Sequence, residues 1–184
     1  MPYQPHLHHR RTIRLPGYDY SRAGAYFITI CTQNKLRLFG EIVDGEMRLN
    51  EAGVMVQTVW EEIPRFYPGI DIDVFQMMPD HVHGIVILED STEPMVSKNP
   101  AGASPRGCPS GDQISHAMSL PDVVHRFKTM TTKRYVDGVK QNDWLPFPGK
   151  LWQRNYYERV IRDEEALDRI RKYIIANPGK WNGG

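Results

Sequence analysis

Hydrophobic positions along the chain fall into blocks of period two or of helical spacing, separated by polar breaks rich in Gly and Pro. "AYFITICTQ" (25–33) is dense in β-branched and aromatic residues and predicts a core strand. "GEIVDGEMRLN" predicts a hairpin turning on Asp44-Gly45, a dipeptide that tolerates the left-handed torsions of a two-residue turn. "NEAGVMVQTVWEEIPRFY" carries Val56, Trp60 and Ile63 at i, i+4 and i+7 behind Asn50, an N-cap residue, and predicts a helix. "DIDVFQMMPD" and "HVHGIVILED" predict two strands joined at Pro79-Asp80. Ser119 and Asp122 have capping-box spacing ahead of a helix bearing Val123, Val124, Phe127 and Met130. "LWQRNYYERVIR" predicts a further strand, and "DEEALDRIRKYIIANP" a last helix with acids at its positive end and Pro178 as its stop.

The predicted order is strand, strand, helix, strand, strand, helix, strand, helix. It implies an α+β fold of ferredoxin-like type, an antiparallel sheet with helices packed on one face. One domain over residues 1–184 is expected, with a basic N-terminal arm (1–24) and a Pro-, Gly- and Ser-rich flexible insertion (91–118) longer than ordinary loops.

Composition narrows the class. With 184 residues, 40% of them apolar, the chain supports one substantial core, and no apolar run approaches the roughly 20 residues of a membrane helix. Two cysteines, Cys31 and Cys108, cannot make a disulfide framework, and the N-terminus shows no apolar secretory segment; a cytoplasmic protein without membrane contact is expected. Net charge is only +1, but basic residues cluster. Arg10, Arg11, Arg14 and Arg22 accompany three histidines against the single acid Asp19, and "HRFKTMTTKR" holds four basic residues and no acid. Such clusters permit a phosphate-binding surface and equally suit a solvated face.

Candidate chemistry begins with "HVHG". On a strand, His81 and His83 project to one side while Val82 enters the other, and Gly84 leaves room for close approach. Two imidazoles on a rigid strand make half of a metal site. A His-x-His triplet alone is a weak signal, and His6-Leu7-His8 repeats it without a strand around it. In the last helix Tyr173 and Asn177 lie one turn apart beside the apolar stripe of Leu167, Ile170 and Ile174. The Asn carbonyl oxygen is a hard ligand suited to Mg²⁺ or Mn²⁺. The same helix, taken alone, also reads as an ordinary amphipathic helix with Tyr at the core boundary.

"PDHVHGIVIL" followed about ninety residues later by "YIIANP" resembles the REP-associated tyrosine transposases, single-domain enzymes with a His-hydrophobic-His motif. "AYFITICTQ", "FKTMTTKRY" and "LWQRNYYERVIRDEEAL" support the resemblance, which spans most of residues 10–181. It implies an HUH-endonuclease fold, metal ligands at His81, His83 and Asn177, and a nucleophile at Tyr173. It also implies cleavage of single-stranded DNA beside a hairpin through a 5′-phosphotyrosine, with a divalent metal, Mg²⁺ or Mn²⁺, in a monomer or homodimer. A phenol with pKa about 10 costs roughly 4 kcal/mol to ionise at pH 7, and phenolate leaves well enough for the ester to be reversed, which suits a transferase.

Arg10, Arg11 and Arg14 are the candidates for a hairpin-reading arm, and Lys128, Lys133 and Arg134 for phosphate contacts. Trp152, Arg154 and Tyr156 offer the mixture of aromatic and basic groups that holds single strands. Tyr156 and Tyr157 are rival nucleophiles without a ligand one helical turn away. A catalytically silent nucleic-acid-binding module on the same fold is the alternative; a conventional metallo-hydrolase would need more ligands than Asp80 provides.

Overall fold

The computed structural model describes residues 17–90 and 118–181. Its main sheet contains β1 (Gly24–Cys31), β4 (Ile70–Met78), β5 (His81–Leu88) and β6 (Tyr157–Ile161), ordered β4-β5-β1-β6 and antiparallel throughout. With α1 (Glu51–Phe66) between β1 and β4, and α2 (Leu120–Gln141) between β5 and β6, this is the βαββαβ ferredoxin-like arrangement. A hairpin of β2 (Gly40–Val43) and β3 (Glu46–Leu49) is inserted before α1, and α3 (Glu164–Ile175) is added after β6. Most of the basic arm, including Arg10, Arg11 and Arg14, and nearly all of the 91–118 insertion lie outside the described residues.

Local signals form the elements they predict. Asp44 and Gly45 take φ of 54° and 78°, as the tight hairpin requires. The Asn50 side chain accepts from the Gly53 N–H at 2.9 Å and starts α1, while Ser119 and Asp122 close a capping box on α2. Val56, Trp60 and Ile63 turn inward together with Val123, Val124 and Phe127.

Strands β1 and β5 are apolar on both faces, and both must therefore be covered. Ile28, Ile30, Val82 and Val86 meet α1 and α2 in the larger core. Phe27, Ile85 and Ile161 face the other way and meet Ile170 and Ile174 of α3. The placement of helices on one face thus holds for α1 and α2, whereas α3 crosses the opposite face. Burying its two isoleucines contributes about 1.5–3 kcal/mol each.

A bulge between Ile72 and Phe75 breaks the β4 register and re-aims Asp73 and Val74. Val74 joins the α3 cluster, and Asp73 receives the Arg171 guanidinium, its Nε lying 3.0 Å from Oδ2. This pair ties α3 to the sheet edge and holds the Asp73 carboxyl below its ordinary value, chiefly through the hydrogen bond from Arg171.

Two expected boundaries move. The strand expected over 151–162 shortens to β6 because Trp152 turns into the core and makes only an isolated bridge with Thr32. The last helix ends at Ile175, before the 3-10 turn Pro178–Lys180. Among the described residues no helix is long and apolar enough to cross a membrane.

Gly84 is where the strand touches Trp60: a Cβ there would lie 2.6 Å from the buried indole. Gly84→Ala should therefore destabilise by about 1–3 kcal/mol, read from the urea midpoint. Asp73→Asn should cost about 1 kcal/mol at neutral pH. A depressed carboxyl stabilises fully above its unfolded value of about 3.9 and loses that contribution as pH falls through the folded value. The gap between Asp73→Asn and the parent should accordingly close in acid.

Candidate active site

The register of β1 against β5 assembles the site. Thr29 lies opposite His83 and Cys31 opposite His81. On their outer sides Gln76 of β4 pairs with His83, and Tyr157 of β6 with Thr29. One cross-strand row therefore reads Gln76, His83, Thr29, Tyr157, all on the α3 face. The next row on that face sets Phe27 between Ile85 and Arg159.

The imidazoles are held at their far nitrogens. His81 Nδ1 meets Asp80 Oδ1 at 2.5 Å, and His83 Nδ1 meets Thr29 Oγ1 at 2.8 Å. The two Nε2 atoms then converge to 3.1 Å. One tautomer set satisfies every contact: the Thr29 hydroxyl donates to His83 Nδ1, His83 Nε2–H donates to His81 Nε2, and His81 Nδ1–H donates to Asp80. Burial pushes Asp80 up, but the His81 hydrogen bond, with the charges of His81 and Lys35, outweighs it and leaves the carboxyl below its ordinary value. Burial above all, then the positive charge of His81 and Lys35, depresses His83 to about 3. A neutral imidazole is the form that binds metal.

Both histidines are buried, beneath aromatic rings. Phe27 stacks on His83 at 5.5 Å between centroids, and Trp181 covers His81 at 5.7 Å. Tyr173, anchored by the buried Ile170 and Ile174 on its own helix, places its ring 5.5 Å from that of His83, edge to face. It keeps 48% exposure, so its hydroxyl end can meet a ligand from solvent. Asn177 lies beyond the end of α3 but keeps helical torsions (φ −63°, ψ −44°), is half-buried, and its side chain caps nothing.

The donor set can be tested against a metal. Two nitrogens at 2.0–2.1 Å from one ion in adjacent positions stand roughly 2.8–3.4 Å apart, and the observed 3.1 Å fits. The Asp80 and Thr29 contacts supply the outer-shell support that orients ligand histidines. Among the described residues no three His, Cys, Asp or Glu side chains come together to hold an ion, so further ligands would be an amide, water or substrate oxygen.

The other candidates separate. Lys128 sends its ammonium to the carbonyls of Gln153, Arg154 and Asn155 at 2.8–3.4 Å, and burial lowers it to about 8. Its charge holds the loop before β6. Trp152 is buried and donates its indole N–H to Thr131, so the stacking platform expected of it is instead part of the core. Arg134 pairs with Glu62 of α1 at 2.7 Å, while Lys133 and Arg154 are exposed. Tyr156 lies under the Lys128 ammonium, but Tyr157 shares a cavity with His83 and Tyr173. Thr29, Phe27 and Trp181 were not legible as site residues: a Thr in an apolar strand reads as filler until its cross-strand neighbour is known.

No family model matches the chain. An uncharacterized protein of Haemophilus influenzae is 38% identical over 179 residues, 97% of this chain and 93% of that protein. The chain belongs to the same family as this Haemophilus protein. A second protein of that organism, named "Putative REP-associated tyrosine transposase", is 21% identical over 162 residues, covering 88% of this chain and 74% of that one. The solved structure of a REP-associated tyrosine transposase bound to a REP hairpin superposes with a TM-score of 0.53 at 16% identity, over 91% of this chain and 73% of that one. The fold is that of a REP-associated tyrosine transposase, and the resemblance read from "HVHGIVIL" and "YIIANP" is borne out.

His83 also sets a pH dependence. An unfolded histidine takes up a proton near 6.5, while the folded ring waits until about 3. This contribution favours folding fully above that upper value and is lost progressively as pH falls between the two. The His83 ring protons should show no NMR titration between about pH 5 and 8; a midpoint near 6.5 would place the ring in solvent.

Proposed function

We propose that this chain is a transposase that cleaves and rejoins single-stranded DNA beside a hairpin, with Tyr173 as nucleophile and a divalent metal held by His81, His83 and Asn177. The observation that carries this reading is the Tyr173 ring 5.5 Å from His83 within one chain, beside imidazole nitrogens converged to 3.1 Å. The hairpin on the solved transposase of the same fold supports a hairpin-bearing substrate. Tyr173 beside its own chain's histidines supports action in cis.

A bound Mg²⁺ or Mn²⁺ would neutralise and polarise the scissile phosphate. The chain supplies the rest. With its proton moved to Nδ1, where it would donate to the Thr29 hydroxyl, His83 would present an Nε2 lone pair beside that of His81 on a rigid strand. Helix α3 holds the Tyr173 ring beside His83, from where its oxygen would make the in-line attack. That attack forms a bond from the Tyr173 oxygen to phosphorus and breaks the bond to the 3′-oxygen. The phenol proton passes to solvent, and the leaving oxygen takes a proton to become a 3′-OH. In the reverse step a 3′-OH attacks the phosphotyrosine and phenolate leaves, so the ester energy is kept and strands can be exchanged.

Incubation of the protein with hairpin-bearing single strands and Mn²⁺ should give a slow-migrating protein–DNA adduct on denaturing gels. Tyr173→Phe should abolish it and Tyr157→Phe should not; an adduct surviving Tyr173→Phe overturns the nucleophile assignment. Thr29→Val, which removes the support of His83 Nδ1, should weaken Mn²⁺ binding about 10–100-fold by calorimetry. DNA binding without an adduct on any strand would favour a silent binding module.

A further inference from the structure

Tyr173 and His83 form one wall of a cavity of about 550 Å³ that runs between α3 and the β6 edge. Its size falls within the range of small-ligand sites, yet of the proposed catalytic groups only His83 and Tyr173 line it, at one end. At the other end stand Tyr157 and Arg159 of β6 and Arg169 of α3. Phe27 forms the floor between them. Tyr157 meets Phe27 at 6.1 Å and 67°, and Tyr173 meets it at 6.0 Å and 88°. Three aromatic rings thus bound a space that no side chain fills.

The charge is one-sided: the residues lining the cavity include two arginines and no carboxylate. Arg159 is exposed, opposite Phe27 in the ladder, and has no ion pair among the described residues. Arg169 pairs with Glu165, but the two side chains are 60% and 82% exposed, a pairing that contributes little and is readily exchanged for a phosphate. Aromatic faces beside guanidinium groups suit a nucleotide: bases stack on rings without sequence preference, and phosphates take arginine forks. A base paired within a duplex cannot enter such a cavity; an unstacked one can.

We propose that this cavity is a subsite for one unpaired nucleotide of the DNA strand, with its base against Phe27 and Tyr157 and its phosphate on Arg159 and Arg169. The inference deepens the transposase reading, since it places that nucleotide next to the phosphate that Tyr173 attacks. It also makes the subsite the source of single-strand preference. Tyr157, which the ladder brings onto the His83 row, stacks a base and does not replace Tyr173 as nucleophile.

Fluorescence anisotropy in EDTA tests this without chemistry, using a labelled 20-nucleotide mixed-sequence single strand and the same strand annealed as a duplex. All three substituted side chains are exposed, and circular dichroism checks the fold. The parent should prefer the single strand. Tyr157→Ala should weaken single-strand binding about tenfold with the salt slope unchanged. The pair Arg159→Ala and Arg169→Ala should lower the log K against log salt slope by about 0.7 per arginine and remove the preference over duplex. Equal losses on both probes, or unchanged single-strand binding, would overturn the subsite. If the parent forms no adduct but these binding effects appear, the subsite stands and the cleavage reading falls. If adducts form and the binding effects are absent, the reverse holds.

Discussion

The antiparallel register between β1 and β5 is the constraint on which the site depends. It sets Thr29 against His83 and Cys31 against His81, so the hydroxyl that fixes His83 comes from a strand more than fifty residues away. Slipping this pairing by one residue would turn one strand's side chains to the other face relative to its neighbour. The apolar residues on the reverse face oppose such a slip: Ile28, Ile30, Val82 and Val86 are buried against α1 and α2. The close contact of Gly84 with Trp60 adds a steric pin at the strand's centre. Stability on one face thus specifies geometry on the other.

The second face is completed by α3. Its isoleucines cover the apolar end of the sheet and leave the histidine end to Tyr173 and Trp181. The β4 bulge gives Arg171 a partner in Asp73, which holds the helix to the sheet edge while Tyr173 stays half exposed on its other flank. A tyrosine supported by a packed helix is placed with little conformational freedom, and that placement is what the in-line attack proposed for Tyr173 requires.

Much of the fold was legible because its signals are local. Asn50, Ser119 with Asp122, and Asp44-Gly45 each act within a few residues and form the cap or turn they predict. His81 and His83 share a face because strand side chains alternate, whereas Asn177 falls two residues beyond α3, at the start of the 3-10 turn that follows. Trp152 and Lys128 misled for the complementary reason. An aromatic and a cation near other aromatics and cations look like a nucleic-acid surface, but one is a core ring and the other a cap on loop carbonyls. Type and spacing do not say which way such a side chain turns.

The sequence by itself determined the elements, their order, the shared face of the histidines and the tyrosine helix, all consequences of short-range periodicity and capping. Only the tertiary structure decided which strands became neighbours, that α3 crosses the face opposite α1 and α2, and that Thr29, Phe27, Arg159 and Trp181 gather around the histidine pair. Those placements follow from strand pairing and from burial on two faces of one sheet. They join residues far apart along the chain, where no local pattern records the contact.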